Sequence, residues 1–226
     1  MAATTTTPEN LYHILLTTSH MGKNPNNVVE KVRIPGTYTS LLAAKAAAHS
    51  CLYEAGYERD WFEHYETKPS LLEKHNGTPH LVVYATAPDG TAFRVRIDTT
   101  PNERKLTSDL ADGRIGVPLY YVVQAAVEYT GDEGGVVRDI NVQGTYGTYE
   151  EARGFASAAL LSPRDGVTRE SFAEYTEAEP SERDCGYGDN VIVHAASDYG
   201  TNYLVSVIKT QELESVKIAE AAMKIG

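Results

Sequence analysis

The sequence predicts an α+β protein made by tandem duplication: two β-β-α-β-β-β units, each an antiparallel sheet with one packed helix, arranged as a pseudo-two-fold pair and followed by a C-terminal helix. Three observations predict it. Identical residues recur between the halves at nearly one spacing. Each half holds one alanine-rich segment with helical periodicity. Short apolar or alternating runs flank that segment in the same order.

Leu11-Tyr12 falls on Leu119-Tyr120 at a spacing of 108, which also carries Val28-Val29 onto Val136-Val137 and Gly36-Thr37-Tyr38 onto Gly144-Thr145-Tyr146. Ala44, Ala48 and Leu52 then meet Ala152, Ala156 and Leu160. After the helix the spacing is 110, matching Arg59, Phe62 and Tyr65 with Arg169, Phe172 and Tyr175. Val83, Ala85, Gly90-Thr91 and Val95 likewise match Val193, Ala195, Gly200-Thr201 and Val205. A two-residue insertion accounts for the change.

Leu11 to Thr17 and Leu119 to Ala126 are rich in apolar, β-branched and aromatic residues and read as buried strands. Next, Val32 and Ile34 alternate with Lys31 and Arg33, as Ile140 and Val142 do with Asp139 and Asn141, which is the pattern of a strand with one wet face. Gly-Thr-Tyr reads as its end, the glycine making a turn and the tyrosine packing over the helix start. The helix begins after Thr39 or Ser40 in copy one and after Thr148 in copy two, where Thr148-Tyr149-Glu150-Glu151 is a capping-box pattern. Its inner face is Ala44, Ala47, Ala48, Cys51, Leu52 and Ala55, or Ala152, Phe155, Ala156, Ala159 and Leu160. Three more strands follow: Phe62 to Glu66, His80 to Thr86 and Thr91 to Asp98, matched by Phe172 to Thr176, Asn190 to Ala196 and Thr201 to Ile208. Pro88-Asp89-Gly90 and Asp198-Tyr199-Gly200 supply the hairpin turns. The boundaries are therefore a disordered lead 1–10, repeat one 11–100, a linker 101–118, repeat two 119–210 and a C-terminal helix 211–226.

The net charge of -11 is divided unevenly, -1 over residues 1–110 and -10 over residues 111–226. Such acidity repels phosphate backbones and anionic lipid, so neither nucleic acid nor membrane is an expected partner. No apolar run is long enough to span a bilayer, and the amino terminus lacks the regions of a secretory signal. Cys51 and Cys185 sit at non-equivalent positions and do not suggest a disulfide framework. A cytoplasmic protein is expected.

Polar residues present in one copy are where an acquired function would show. Six of the seven histidines lie in copy one and only His194 in copy two. With strand phase held, His80, Val82 and Tyr84 share a face, as do Asn190, Ile192 and His194. A ligand site would then gather His80, Tyr84, His194 and His13 at a cleft between the copies, with Arg94 and Arg96 supplying positive charge for an anionic ligand. The plainer reading leaves these as scattered strand positions. His75 and His80 share a loop but fall short of a metal motif, no cofactor motif is present, and neither metal nor cofactor is expected. Cys51 reads as a core residue. Trp61, matched by Ser171, is the interface candidate. With no catalytic signature, the leading reading is a non-enzymatic binding or scaffold protein acting through a protein partner or self-association. The alternative is a small-molecule enzyme or ligand-binding protein using the inter-repeat cleft.

Overall fold

The computed structural model describes residues 7–20, 31–72, 80–108, 110–130, 135–211 and 213. The fold is α+β with a duplicated unit, each copy a five-stranded antiparallel sheet with a helix. The chain divides into two compact units, residues 1–117 with 210–226, and residues 118–209. The first contains β1 (Asn10–Ser19), β2 (Lys31–Tyr38), α1 (Leu41–Glu54), β3 (His64–Glu66), the single turn α2 (Pro69–Leu72), β4 (Leu81–Thr86) and β5 (Ala92–Pro101). In the second come β6 (Tyr120–Thr130), β7 (Gly135–Tyr146), α3 (Tyr149–Ala156), β8 (Glu174–Glu177), β9 (Val191–Ala196) and β10 (Asn202–Lys209). Strand order is β2-β1-β5-β4-β3 in one and β7-β6-β10-β9-β8 in the other, the same arrangement under the repeat.

The irregularities repeat as well. Register shifts between Ile14 and Leu16 and between Leu81 and Val83 recur at Val122/Val123 and in the β9–β10 pairing at Val205/Ser206. His80 and Asn190, which precede the second shift, both have positive φ, 57° and 61°. Their carbonyls accept from Ile97 and Val207 across the ladder. This bulge breaks the alternation expected of β4 and β9. Tyr84 pairs with Arg94 on the helix-free face while Val82 packs against the helix-side core, so His80, Val82 and Tyr84 do not form one row. Ile192 likewise belongs to the helix-side core, and His194 pairs with Leu204. The two hairpins close alike, through Gly90 and Gly200 at φ 83° and 85°, a conformation a side chain resists.

Helix α1 lays Ala44, Ala48, Cys51 and Leu52 on the sheet. It stops at Gly56, where the Gly56 and Tyr57 N–H groups donate to the Tyr53 and Leu52 carbonyls, satisfying acceptors a helix end would otherwise orphan. Helix α3 starts as its sequence predicts, the Thr148 hydroxyl accepting from the Glu151 N–H. It ends six residues earlier than its counterpart. Ala158, Ala159 and Leu161 donate three residues back, a tightened coil running into Ser162-Pro163, where proline forbids helical continuation.

Gly36-Thr37-Tyr38 and Gly144-Thr145-Tyr146 lie within β2 and β7, so the glycine serves no turn. Residues two apart in a strand face one way, and each tyrosine ring lies over the bare Cα of its glycine. A Cβ on Gly144 would meet the Tyr146 ring at 2.8 Å, and one on Gly36 the Tyr38 ring at 3.1 Å. We expect Gly144→Ala to lower stability by about 1–3 kcal/mol, with Gly36→Ala milder, read from urea midpoints. Equal, negligible losses would show the rings to be free to move.

Segment 101–117 folds onto the first unit. The Ile115 N–H donates to the Thr37 carbonyl and the Thr39 N–H to that of Gly113, which covers the outer edge of β2 at its C-terminal end, and Ile115 is buried. Asn102 binds Pro8 and Leu106 through its side chain and Glu9 through its N–H, so Pro8–Asn10 of the expected lead are held. The expected C-terminal helix lies outside the described residues apart from Gln211 and Leu213. Among the described residues no helix is long and apolar enough to cross a membrane.

Candidate functional site

In the first unit, pairing across β3, β4, β5 and β1 aligns Glu66, Tyr84, Arg94 and Thr17 in one row on the helix-free face. The Arg94 guanidinium sits 5.6 Å from the Tyr84 ring centroid and donates to Ser19 Oγ at 2.9 Å. Arg96 follows along the same face, buried between Leu15 and Leu81, and then Asp98 opposite His13. The structure thus brings Tyr84, Arg94, Arg96 and His13 onto one face, while His80 marks the bulge at the head of β4.

His13 is fully buried. Its Nδ1 lies 2.9 Å from Thr37 Oγ1 and its Nε2 2.8 Å from Thr100 Oγ1. Burial drives its pKa down to about 3, so the ring is neutral, donating at one nitrogen and accepting at the other. In the repeat Tyr121 replaces it, Leu204 replaces Arg94, and Ser206 replaces Arg96, so the polar face of unit one becomes largely apolar in unit two. Cys51 is likewise a core residue, its thiol pushed up to about 12 by burial, and Cys51 and Cys185 are both unpaired thiols.

His194 stands in the second unit, where a glycine-flanked loop covers it. The Tyr187 ring stacks on the imidazole at 3.7 Å and 13°, and its hydroxyl donates to Glu174. That hydrogen bond, ahead of burial, raises the Tyr187 pKa. His194 Nε2 lies 3.2 Å from Asn202 Oδ1. The sequence signal for this grouping was Gly186-Tyr187-Gly188, two glycines giving a tyrosine the freedom to fold back.

Trp61 closes a 3₁₀ turn, Arg59–Trp61, and is 37% exposed. Its ring rests on three others: Tyr57 at 4.8 Å, Phe62 at 4.9 Å and Phe93 at 6.1 Å, all of them buried. Beside it, Arg59 lies over the Tyr65 ring at 4.9 Å and donates to the Tyr65 carbonyl. Arg59, Asp60, Phe62, Glu63 and Tyr65 line an open cleft of about 450 Å³. The second unit repeats the arginine–tyrosine stack, with Arg169 over Tyr175 at 5.4 Å and paired to Glu177, but the opening beside it, about 380 Å³, is lined on its other side by Glu177, Ala178, Glu179 and Pro180 and not by the equivalents of Asp60, Phe62 and Glu63. It lacks the tryptophan. Ser171 instead caps its own turn, its hydroxyl accepting from the Thr168 N–H in a capping box. The repeated Arg-x-x-Phe-x-x-Tyr was visible as an identity, but its stacking role was not. Among the described residues no group of three or more His, Cys, Asp or Glu side chains could hold a metal ion.

No protein-family model, curated protein or solved structure matches the chain.

Proposed function

We propose that this is a non-enzymatic binding protein that acts through protein–protein contacts, with the Trp61 surface as its point of engagement. The observation that carries the reading is the exposed Trp61 ring on a floor of buried aromatics, beside a stacked arginine and an open cleft. Tryptophan, tyrosine and arginine dominate the energetics of interfaces because they bury large area on a rigid frame. The repeat itself argues for an acquired role, since the equivalent position carries a serine that serves the local fold. Two unpaired thiols favour a reducing compartment such as the cytoplasm.

Placing a photo-crosslinking amino acid at position 61, and separately at 171, tests this in cells that make the protein. A discrete adduct from 61, lost on adding Arg59→Ala and missing from 171, is expected. An adduct of twice the chain mass identifies self-association, and any other mass a different protein. Indistinguishable yields from the two positions sink the reading.

A further inference from the structure

The acidity of the first half is gathered around Trp61. Residues 54–66 hold five acidic side chains, Glu54, Glu58, Asp60, Glu63 and Glu66, against one basic, Arg59, a net charge of -4. Because residues 1–110 together carry -1, the rest of that half is net +3. Two of the five are engaged locally: Glu54 accepts from the Ser50 hydroxyl, and Glu66 from the Thr67 and Lys68 N–H groups. Glu58, Asp60 and Glu63 are exposed, and among the described residues their carboxylates accept no hydrogen bond and join no ion pair. Asp60 and Glu63 line the cleft, while Arg59 is held by the ring and carbonyl of Tyr65. An exposed indole beside uncompensated carboxylates repels an acidic surface and attracts a cation, through its ring face and through the carboxylates alike.

We propose that the partner engaged at Trp61 is a basic protein segment that lays an arginine on the Trp61 ring, with Asp60 and Glu63 as its counter-ions. The inference rests on the reading of Trp61 as the point of engagement and adds the chemistry of what it engages. The chain already shows this mode of contact within itself, Arg169 lying over the Tyr175 ring while bonded to the Glu177 carboxylate. Arginine suits the site better than lysine, because a planar guanidinium stacks on a ring and still offers edge donors to carboxylates. A second copy of this chain would bring a net charge of -11 to an acidic surface, so the partner is a different protein.

The full-length chain is titrated with an alternating Gly–Arg peptide and with its Gly–citrulline counterpart, which keeps the planar side chain without the charge. Trp61, the only tryptophan, reports binding through its emission. The arginine peptide should shift that emission saturably and bind at least about tenfold more tightly than the citrulline peptide. Asp60→Asn combined with Glu63→Gln should weaken it about tenfold, whereas Asp189→Asn combined with Asp198→Asn, which removes the same charge from exposed positions of the second unit, should change it less than about twofold. Equal losses in the two double variants would reduce the effect to overall charge and overturn the proposal, as would equal binding of the two peptides or an emission unmoved by either. Crosslinking at position 61 separates this failure from that of the parent reading. An adduct that survives Asp60→Asn with Glu63→Gln, or one of twice the chain mass, keeps Trp61 as the point of engagement and overturns the basic partner. Equal yields at 61 and 171 overturn both.

Discussion

Taking the protein from pH 7 to pH 4 is expected to cost it about 3 kcal/mol through one side chain, His13. The buried imidazole has its pKa lowered from 6.5 to about 3 by burial alone. Because the folded value lies below the unfolded one, the unfolded chain binds the extra proton. The stabilisation from His13 is complete above about pH 6.5 and falls by about 1.4 kcal/mol per pH unit until the folded pKa is reached. His13→Gln keeps one donor and one acceptor for Thr37 and Thr100 but does not titrate. Urea unfolding at pH 7, 5.5 and 4 should show the variant losing less stability than wild type by that increment. The carboxylates titrate alike in both proteins and cancel in the difference. Parallel pH profiles would mean that the ring is protonated in place.

Phe93→Ala is the second large effect, a loss of about 3–5 kcal/mol. Phe93 is almost wholly buried and touches three rings, with centroids 5.2 Å from Tyr57, 5.5 Å from Phe62 and 6.1 Å from Trp61. Removing it deletes buried area and leaves a cavity under the only tryptophan of the chain, which reports the change directly. A lower urea midpoint should come with red-shifted emission of the folded state, whereas Phe93→Tyr should retain most stability, because Tyr203 fills the equivalent place beside Phe172. A midpoint within about 1 kcal/mol of wild type would show that Trp61 does not depend on this floor.

The duplication was legible because its markers are local: Gly-Thr hairpins, an alanine face and a capping threonine each act within a few residues. The bulges at Leu81/Val83 and Val205/Ser206 were not, since one inserted residue leaves apolar content unchanged while reversing the phase of everything before it. That is why the alternation that sets His80, Val82 and Tyr84 on one face fails at the bulge, while Tyr84 and Arg94, beyond it in a hairpin, pair directly. Gly36 and Gly144 misled because glycine was read as a turn former, when its use here is to leave room for a ring two residues on. The His13 bonds span 24 and 87 residues, and no spacing within one strand encodes them. Ile115 was hidden in a stretch polar enough to read as a linker, its burial resting on one side chain and a few backbone bonds.

Arg59, laid over Tyr65 and bonded to its carbonyl, stands at β3, the last strand of its sheet, and Arg169, laid over Tyr175 and bonded to the Glu177 carboxylate, stands at β8, the last strand of the other. Duplication makes such guarding more consequential. A protein with one uncovered strand edge can pair with a second molecule and stop there, whereas a chain carrying two such edges is bifunctional, and each addition leaves another edge to extend. The repeated arginine therefore lies at the very strand where an incoming chain would have to pair to propagate such growth.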